Sequence, residues 1–415
     1  MTRSAVPAVT HAATMAVTAH GRAAASREVN GAGMRITRLE IVHVRPRFSF
    51  LRVHTDAGLV GLGEACLEGR ARVVEAAVMD FQDLLVGQDP RRIERLWHLM
   101  FRSSFYPAGS ILASAISAVD QALWDILGKH YDTPVHALLG GAVRDRLRVY
   151  QHVNIGDWAV SAQDEAQLDE LAGLARQAVA DGYTMVKTAL PGPARVLESK
   201  AYIDSVVARM TRVREAIGDD VDFAIDFHGR VTPSLALQLI REVEHLKPLF
   251  VEEPCLPENV DAMAGIVAAS PVPIATGERL FTRWGFRELL EKARIAVVQP
   301  DLAHCGGITE ARKIATMAET YYAGFAPHNP LGPVNLAASL HLAATVPGFL
   351  AQEQLTLGEG LITRPFTQVD GYVDLPAGPG LGVELDDAAF ADDVYDGGWR
   401  IPHWHHPADN ALAPW

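Results

Sequence analysis

The sequence predicts an α/β protein: a modified (β/α) barrel of the TIM type, preceded by an α+β capping domain that the C-terminal segment completes. Two observations carry this expectation. From Arg146 onward, short apolar runs of strand character alternate with segments of helical spacing, giving eight strands, seven of them followed by helices. Within that stretch Asp226, Glu252, Glu278, Asp301, His328 and Glu353 lie 26, 26, 23, 27 and 25 residues apart, each at or just after the end of an apolar run. That interval is about one βα unit. A barrel of parallel strands gathers the C-terminal strand ends on one face, so these six side chains are expected at a common mouth.

The bulk composition agrees with a two-domain globular chain. Its 415 residues exceed one ordinary domain and leave room for a barrel of roughly 250 residues. Apolar residues make up 49% and charged residues 21%, so a core is available and disorder is excluded for the bulk of the chain. A net charge of -13 repels phosphate backbones and anionic lipid, which argues against nucleic acid or membrane as partner and for a small molecule. No run reaches the roughly 18 apolar residues of a membrane helix. Cys66, Cys255 and Cys305 are odd in number and lack metal-type spacing; a reducing, cytoplasmic location is expected.

Element by element, residues 1–33 are rich in Ala, Thr and His with Glu28 as their one acid, and read as a disordered leader whose removal leaves activity unchanged. The capping domain is expected over 34–145. RITRLEIVHVR, FSFLRVHT and LVGLGEA read as three meander strands, with Asp56-Ala57-Gly58 in the second turn. Helical spacing follows over 70–87, 90–102 and 109–129. The barrel is expected over 146–353, with strands LRVYQHV, YTMVKTA, DFAIDF, PLFVEEP, PIATGE, IAVVQPD, AGFAPH and FLAQE, and helices that include 163–181, 199–216 and 233–244. The remainder, 354–415, is rich in Gly, Pro and Trp and is expected to wrap back onto the capping domain.

The chemistry follows from residue types at those strand ends. Asp226, Glu252 and Glu278 offer three oxygen ligands and a formal charge of -3, which suits Mg²⁺ better than zinc, whose sites favour His or Cys. Each alone would more often be a surface or helix-terminal charge; the matching positions give them weight. His228 stands two residues after Asp226, and residues two apart on a strand face the same way, so a proton-transfer group is expected beside a ligand. Asp301 and His328 end consecutive strands; an Asp that fixes one imidazole nitrogen makes the other a general base. Glu353, if its pKa is raised enough to keep it protonated, can hydrogen-bond a developing oxyanion. Lys187, ending YTMVK, is expected to hold a substrate carboxylate, and Ala189 two residues on leaves no second lysine as a base. Three features are set aside. Gly61-Leu62-Gly63 has Cys66 where a dinucleotide fingerprint needs glycine. His403, His405 and His406 lack acidic or Cys partners, and His304 with Cys305 reads as packing.

These residues resemble the enolase superfamily in its mandelate racemase-like branch, with the galactonate dehydratase family the nearest in pattern. The likeness covers 34–415 and rests on EGRAR at 68–72, GQDPRRI at 87–93, DQALWDI at 120–126, DFHGR at 226–230, EEP at 252–254, GER at 277–279, QPDLAHCGGITE at 299–310 and APHNPLGP at 326–333. Sites of this superfamily pair a Lys or His base with Mg²⁺. The resemblance implies Asp226, Glu252 and Glu278 as Mg²⁺ ligands, His328 as the base for the proton α to a carboxylate, and Asp301 as its partner. It further implies His228 as the acid for a departing 3-hydroxyl, Glu353 as enolate stabiliser, a cap over the substrate from the loop near 45–50, and a symmetric homo-oligomer. The implied activity is a hydro-lyase giving a 2-keto-3-deoxy sugar acid. A dehydratase for another aldonate or aldarate, a racemase or epimerase of the same superfamily, and a barrel with a dead site remain the rival readings.

Overall fold

The computed structural model describes residues 33–106, 109–154, 165–406 and 408–413; the leader expected over 1–33 lies outside them except for Gly33. Three antiparallel strands open the chain: β1 (Ile36–Val44), β2 (Phe48–Thr55) and β3 (Val60–Glu64), in the order expected from their apolar runs. The helical stretch expected over 70–87 divides into Ala71–Asp80 and Gln82–Leu85, followed by Ile93–Arg102 and the long helix Ser110–His130. Their apolar faces meet the inner face of the sheet in one core built around Leu51, Val53, Trp97, Ala118, Val119 and Leu123. Gly61 and Gly63 on β3 let the long helix approach so closely that a Cβ at either would lie about 2 Å from a helix carbonyl, 2.1 Å from that of Ala122 and 1.9 Å from that of Ala118. Those two glycines therefore serve packing, not phosphate binding.

Ser110–His130 has the length and mean hydropathy to cross a membrane, but Asp120, Gln121 and Asp125 interrupt its apolar run, and 78% of its most apolar window is buried inside the fold. It is the central helix of the cap. Its polar residues face the barrel and stitch the two domains together. Gln121 donates to Leu302 O at 3.1 Å and Asn335 Oδ1 at 2.8 Å, Ser117 Oγ accepts from Gly306 N at 2.9 Å, and Asp120 Oδ2 accepts from Thr309 N at 2.9 Å. Most buried polar groups are partnered, and the partners here come from the facing domain, so this seam is specified as closely as a core.

The barrel strands are β4 (Arg146–His152), β5 (Met185–Ala189), β6 (Asp222–Asp226), β7 (Phe250–Glu252), β8 (Ile274–Thr276), β9 (Val297–Val298), β10 (Gly324–Phe325) and β11 (Gln352–Glu353). Neighbours pair in parallel from β4 through β10. β11 closes the ring, pairing with β4 and bridged to β10 through Phe325 and Phe349. Helices follow the first seven strands, as the alternation requires. The C-terminal segment does more than return to the cap. Its hairpin, β12 (Gln368–Val369) and β13 (Tyr372–Asp374), first pairs antiparallel with Arg146–Arg148 of β4, the stretch that two-residue β11 is too short to cover. Only then does β14 (Val394–Tyr395) reach back and pair with β1.

Candidate functional site

The site grows out of the barrel's inner lining. Tyr150, Met185, Ala224, Phe250, Ala275, Val297, Ala326 and Ala351, one from each strand or its end, form a buried plug. Two residues further along each strand stand His152, Lys187, Asp226, Glu252, Gly277, Gln299, His328 and Glu353. A period of two sends these inward at the C-terminal mouth. At β8 the inward position is Gly277, whose φ of +142° and close neighbours Phe286 and Gln299 N leave no room for a Cβ; the turn delivers the side chain of Glu278 instead. His152 and Gln299 belong to this ring and were not singled out from the sequence. Counting two residues on from the apolar plug was the signal that would have found them.

Asp226, Glu252 and Glu278 converge as expected, offering ligand oxygens within 4.8 Å of one another. The set is all carboxylate oxygen, and Glu278 Oε2 is buried with no hydrogen-bond partner among the described residues. Such a donor set fits a hard divalent cation. Lys187, expected to take a substrate carboxylate, lies among the carboxylates of the ring. Its ammonium lies 2.8 and 2.9 Å from the two oxygens of Glu252, 2.9 Å from Glu353 Oε1 and 3.6 Å from Asp226 Oδ2, with 1% of the side chain exposed. Burial alone would discharge it, but these carboxylates outweigh burial and hold it charged. Glu252 is conversely pushed up, by burial first and then by Asp226.

His228 reaches the mouth by a route the alternation rule did not describe. β6 ends at Asp226, and His228 sits in a turn with φ +51°. Asp226 Oδ1 accepts from His228 N at 2.7 Å, and Arg279 donates to His228 O at 2.7 Å. The ring arrives with Nε2 3.1 Å from Asp226 Oδ2. Burial, then the cation of Arg230, holds this imidazole neutral, well below its usual range.

Asp301 and His328 are joined by a parallel bridge, and Nδ1 of His328 donates to Asp301 Oδ2 at 2.8 Å. Nε2 is thereby the free basic nitrogen, 3.4 Å from Glu278 Oε2 and 3.9 Å from Glu353 Oε2. The other oxygen of Asp301 accepts from Ala303 N at 2.7 Å and Asn335 Nδ2 at 3.1 Å. Since Asn335 also accepts from Gln121, the cap helix is connected to the dyad through two amides. Burial works against a charged His328, but Glu278, Glu353 and Asp301 outweigh it and raise its pKa.

Glu353 is expected to donate a hydrogen bond as a neutral acid. As a neutral acid it would need a raised pKa, which burial alone would supply; Lys187, His328 and His152 reverse that and hold its carboxyl well below the usual range. His152 Nε2 lies 2.6 Å from Oε1, and Asn329 N donates to Oε2 at 2.9 Å. Here Glu353 is an anion that anchors its neighbours.

Two cavities open onto this ring and share His228 and Pro330. One of about 480 Å³ is lined by Arg47, Gln151, His152 and Asn154, with Trp399 and Pro402 from the C-terminal segment; Pro46 and Arg47 come from the loop expected to cap the site. The other, of about 260 Å³, takes in Glu68, Glu278, His304 and His328. His304, set aside as packing, thus faces the site, whereas Cys305 is buried in the core. His403, His405 and His406 join no such cluster; the Asp226, Glu252 and Glu278 group is the one potential metal cluster among the described residues.

Residues 38–140 match the N-terminal domain of mandelate racemase / muconate lactonizing enzyme, and residues 170–389 match the enolase C-terminal domain-like family. The chain belongs to the enolase superfamily, in its mandelate racemase branch. Within the superfamily it is 44% identical over 393 residues to proteins named D-galactonate dehydratase from Ralstonia nicotianae and from Xanthomonas campestris pv. campestris, covering 92% of this chain and all of each relative. Among solved structures, a mandelate racemase/muconate lactonizing enzyme-like protein from Rubrobacter xylanophilus superimposes with a TM-score of 0.83 at 35% identity, over 88% of this chain and 99% of that one. A mandelate racemase/muconate lactonizing enzyme from Jannaschia sp. CCS1 gives 0.81 at 33% identity, over 87% and 98%.

Proposed function

We propose that this enzyme is a Mg²⁺-dependent acid-sugar dehydratase acting on D-galactonate, which removes the proton α to the carboxylate and eliminates the 3-hydroxyl to give a 2-keto-3-deoxy acid. The observation that carries the reading is one carboxylate cluster with an Asp-held imidazole against Glu278 and a second imidazole against Asp226. The 44% identical relatives named D-galactonate dehydratase support the choice of substrate.

Asp226, Glu252 and Glu278 would hold Mg²⁺, which supplies polarisation of the substrate carboxylate and offsets the negative charge that now raises the pKa of His328. His328 Nε2 takes the proton from C2, and Asp301 keeps the proton of Nδ1 in place so that Nε2 remains the acceptor. His228 gives a proton to the hydroxyl leaving C3, which departs as water. The substrate's carboxylate adds negative charge beside His228 and so favours the protonated form that this step needs. The resulting enol then becomes the 2-keto acid. Glu353, as an anion, holds Lys187 and His152 in the ring, and Pro46 and Arg47 help exclude water. A symmetric homo-oligomer is part of the same reading, checked by light scattering.

A panel of acid sugars scored for 2-keto acid tests the proposal, with D-galactonate expected to be the best substrate. His328→Asn is expected to lower turnover by at least ~10² while calorimetric Mg²⁺ binding persists, because the ligands lie elsewhere. Exchange of the α-proton with solvent deuterium without any keto acid would instead establish an epimerase.

A further inference from the structure

The turn that carries His228 is held from two sides, and the mechanism uses only the inner one, where His228 lines both mouth cavities. Its backbone is left-handed at φ +51°, and Gly229 follows at +64°. A non-glycine residue rests in that region only when its surroundings hold it there. Asp226 Oδ1 and Arg279 hold His228 itself, and Gly229 N donates to Glu253 O at 2.8 Å. Two residues past His228, Arg230 ties the turn to the end of β5. Its Nη1 donates to Leu190 O at 2.9 Å, and Leu190 N in turn donates to Asp226 O at 2.9 Å.

On the outer side lies a third cavity, also of about 480 Å³, with Arg230 and Thr232 in one wall and His406, Asp409 and Leu412 in the other. That second wall is the end of the chain, where β15 (Trp404–His405) and β16 (Leu412–Ala413) form a hairpin. Just before the hairpin the same segment passes over the mouth: Trp399 and Pro402 line one mouth cavity and Ile401 the other. Trp404 lines neither. Its ring covers the guanidinium of Arg230 instead, with Cζ 4.5 Å from the ring centroid.

Arg230 is 3% exposed, and burial lowers its pKa only to about 10, so the side chain is charged at neutral pH. A charged guanidinium beside a cavity of that size has a hydrated alternative, which is to leave Leu190 O and turn outward. The indole of Trp404 opposes this by covering one face of the cation and attracting it through the π electrons. Without the ring, an outward-turning Arg230 releases the strained turn on its outer side, and His228 loses its aim at C3.

We propose that Trp404 is a positioning residue for the proton-donating step: by seating Arg230 it holds the left-handed turn that aims His228, so the end of the chain orients the acid without touching substrate. This rests on the dehydratase reading above. The base and its partner, His328 and Asp301, stand at other strand ends, after β10 and β9, so proton abstraction is spared.

The test compares two reactions of one molecule. Once His328 has taken the C2 proton, the deprotonated substrate either loses the 3-hydroxyl as water, with the proton from His228, or receives a solvent-derived deuteron back from His328. Full-length, Mg²⁺-loaded enzyme given D-galactonate in D₂O is therefore followed by NMR for deuterium at C2 of recovered substrate and for 2-keto acid. Trp404→Leu, which keeps apolar bulk without the π face, is expected to raise the ratio of exchange to elimination by about ten-fold, the worth of a desolvated cation–π contact. Trp404→Phe is expected to stay near the wild-type ratio. Arg230→Lys keeps the charge, loses the planar face and is expected to raise the ratio as well. Both reactions occur in the same folded molecules, so a mere loss of stability lowers them together and leaves the ratio where it was. A ratio that moves by less than about two-fold in Trp404→Leu overturns the proposal; should that variant fail to fold, Arg230→Lys decides by the same measure. A wild type that forms no 2-keto acid overturns the dehydratase reading and this inference with it, whereas keto acid from the wild type with an unmoved ratio in the variant overturns the positioning role alone.

Discussion

Replacing Lys187 with methionine removes a charge and keeps most of the volume, which makes it a direct test of how the carboxylate ring is held together. The ammonium touches Glu252 at 2.8 Å, Glu353 at 2.9 Å and Asp226 at 3.6 Å, all with side chains at most 3% exposed. At an effective dielectric of about 20 these contacts are worth roughly 4.5–6 kcal/mol each of gross attraction, most of it offset by the desolvation of the groups involved. Removing one partner of a buried pair leaves the rest uncompensated, and the net loss expected for Lys187→Met is about 3–5 kcal/mol. The loss should be greatest above neutral pH, because acid protonates the carboxylates left facing one another. Saturating Mg²⁺ should recover a substantial part of it, since a cation bound to the native ring stabilises the native state by mass action. Urea unfolding followed through the seven tryptophans, with and without MgCl₂, reads all three effects. A loss under about 1 kcal/mol, or one equally large with and without the cation, would refute the idea that Lys187 neutralises this cluster.

Two further outcomes follow from the cap–barrel seam. Burial raises the pKa of Asp120 from 3.8 to about 7 despite its hydrogen bonds from Thr309, so between those values the folded chain binds more protons than the unfolded one and stability falls as pH rises. Asp120→Asn keeps an acceptor for Thr309 N and should flatten that slope, with a gain of about 1–4 kcal/mol above neutral pH; an unchanged urea midpoint profile across the window would rule this out. Asn335→Ala removes the donor to Asp301 Oδ1 and should lower kcat by about ten- to a hundred-fold. Mg²⁺ binding should survive, because Asn335 has no hydrogen bond to any of the three carboxylates of the cluster; joint loss of both would mean that the cluster itself had collapsed.

Much of the site was legible because a parallel barrel repeats. Once eight apolar runs are recognised, the position after each run is a mouth position, and acids or imidazoles there can be read as a set. That reasoning reached Asp226, Glu252, Glu278, Asp301, His328 and Glu353. It passed over His152 and Gln299, which stand at the same level but at strand ends where no acid drew notice. It reached His228 through an argument about strands, although a left-handed turn places the residue.

Periodicity and spacing are local, so the chain by itself determined the strand and helix order, the barrel, and which residues crowd its mouth. Charge states and pairings depend on distance and burial, which no linear pattern contains. Lys187 lying on Glu252, the Glu353 carboxyl held low by the groups around it, and Glu68 brought within 3.7 Å of His304 from the other domain were settled only when the tertiary fold removed water from between groups far apart in sequence. Without that solvent, an interaction that bulk water reduces to about 1 kcal/mol becomes strong enough to decide which group holds a proton.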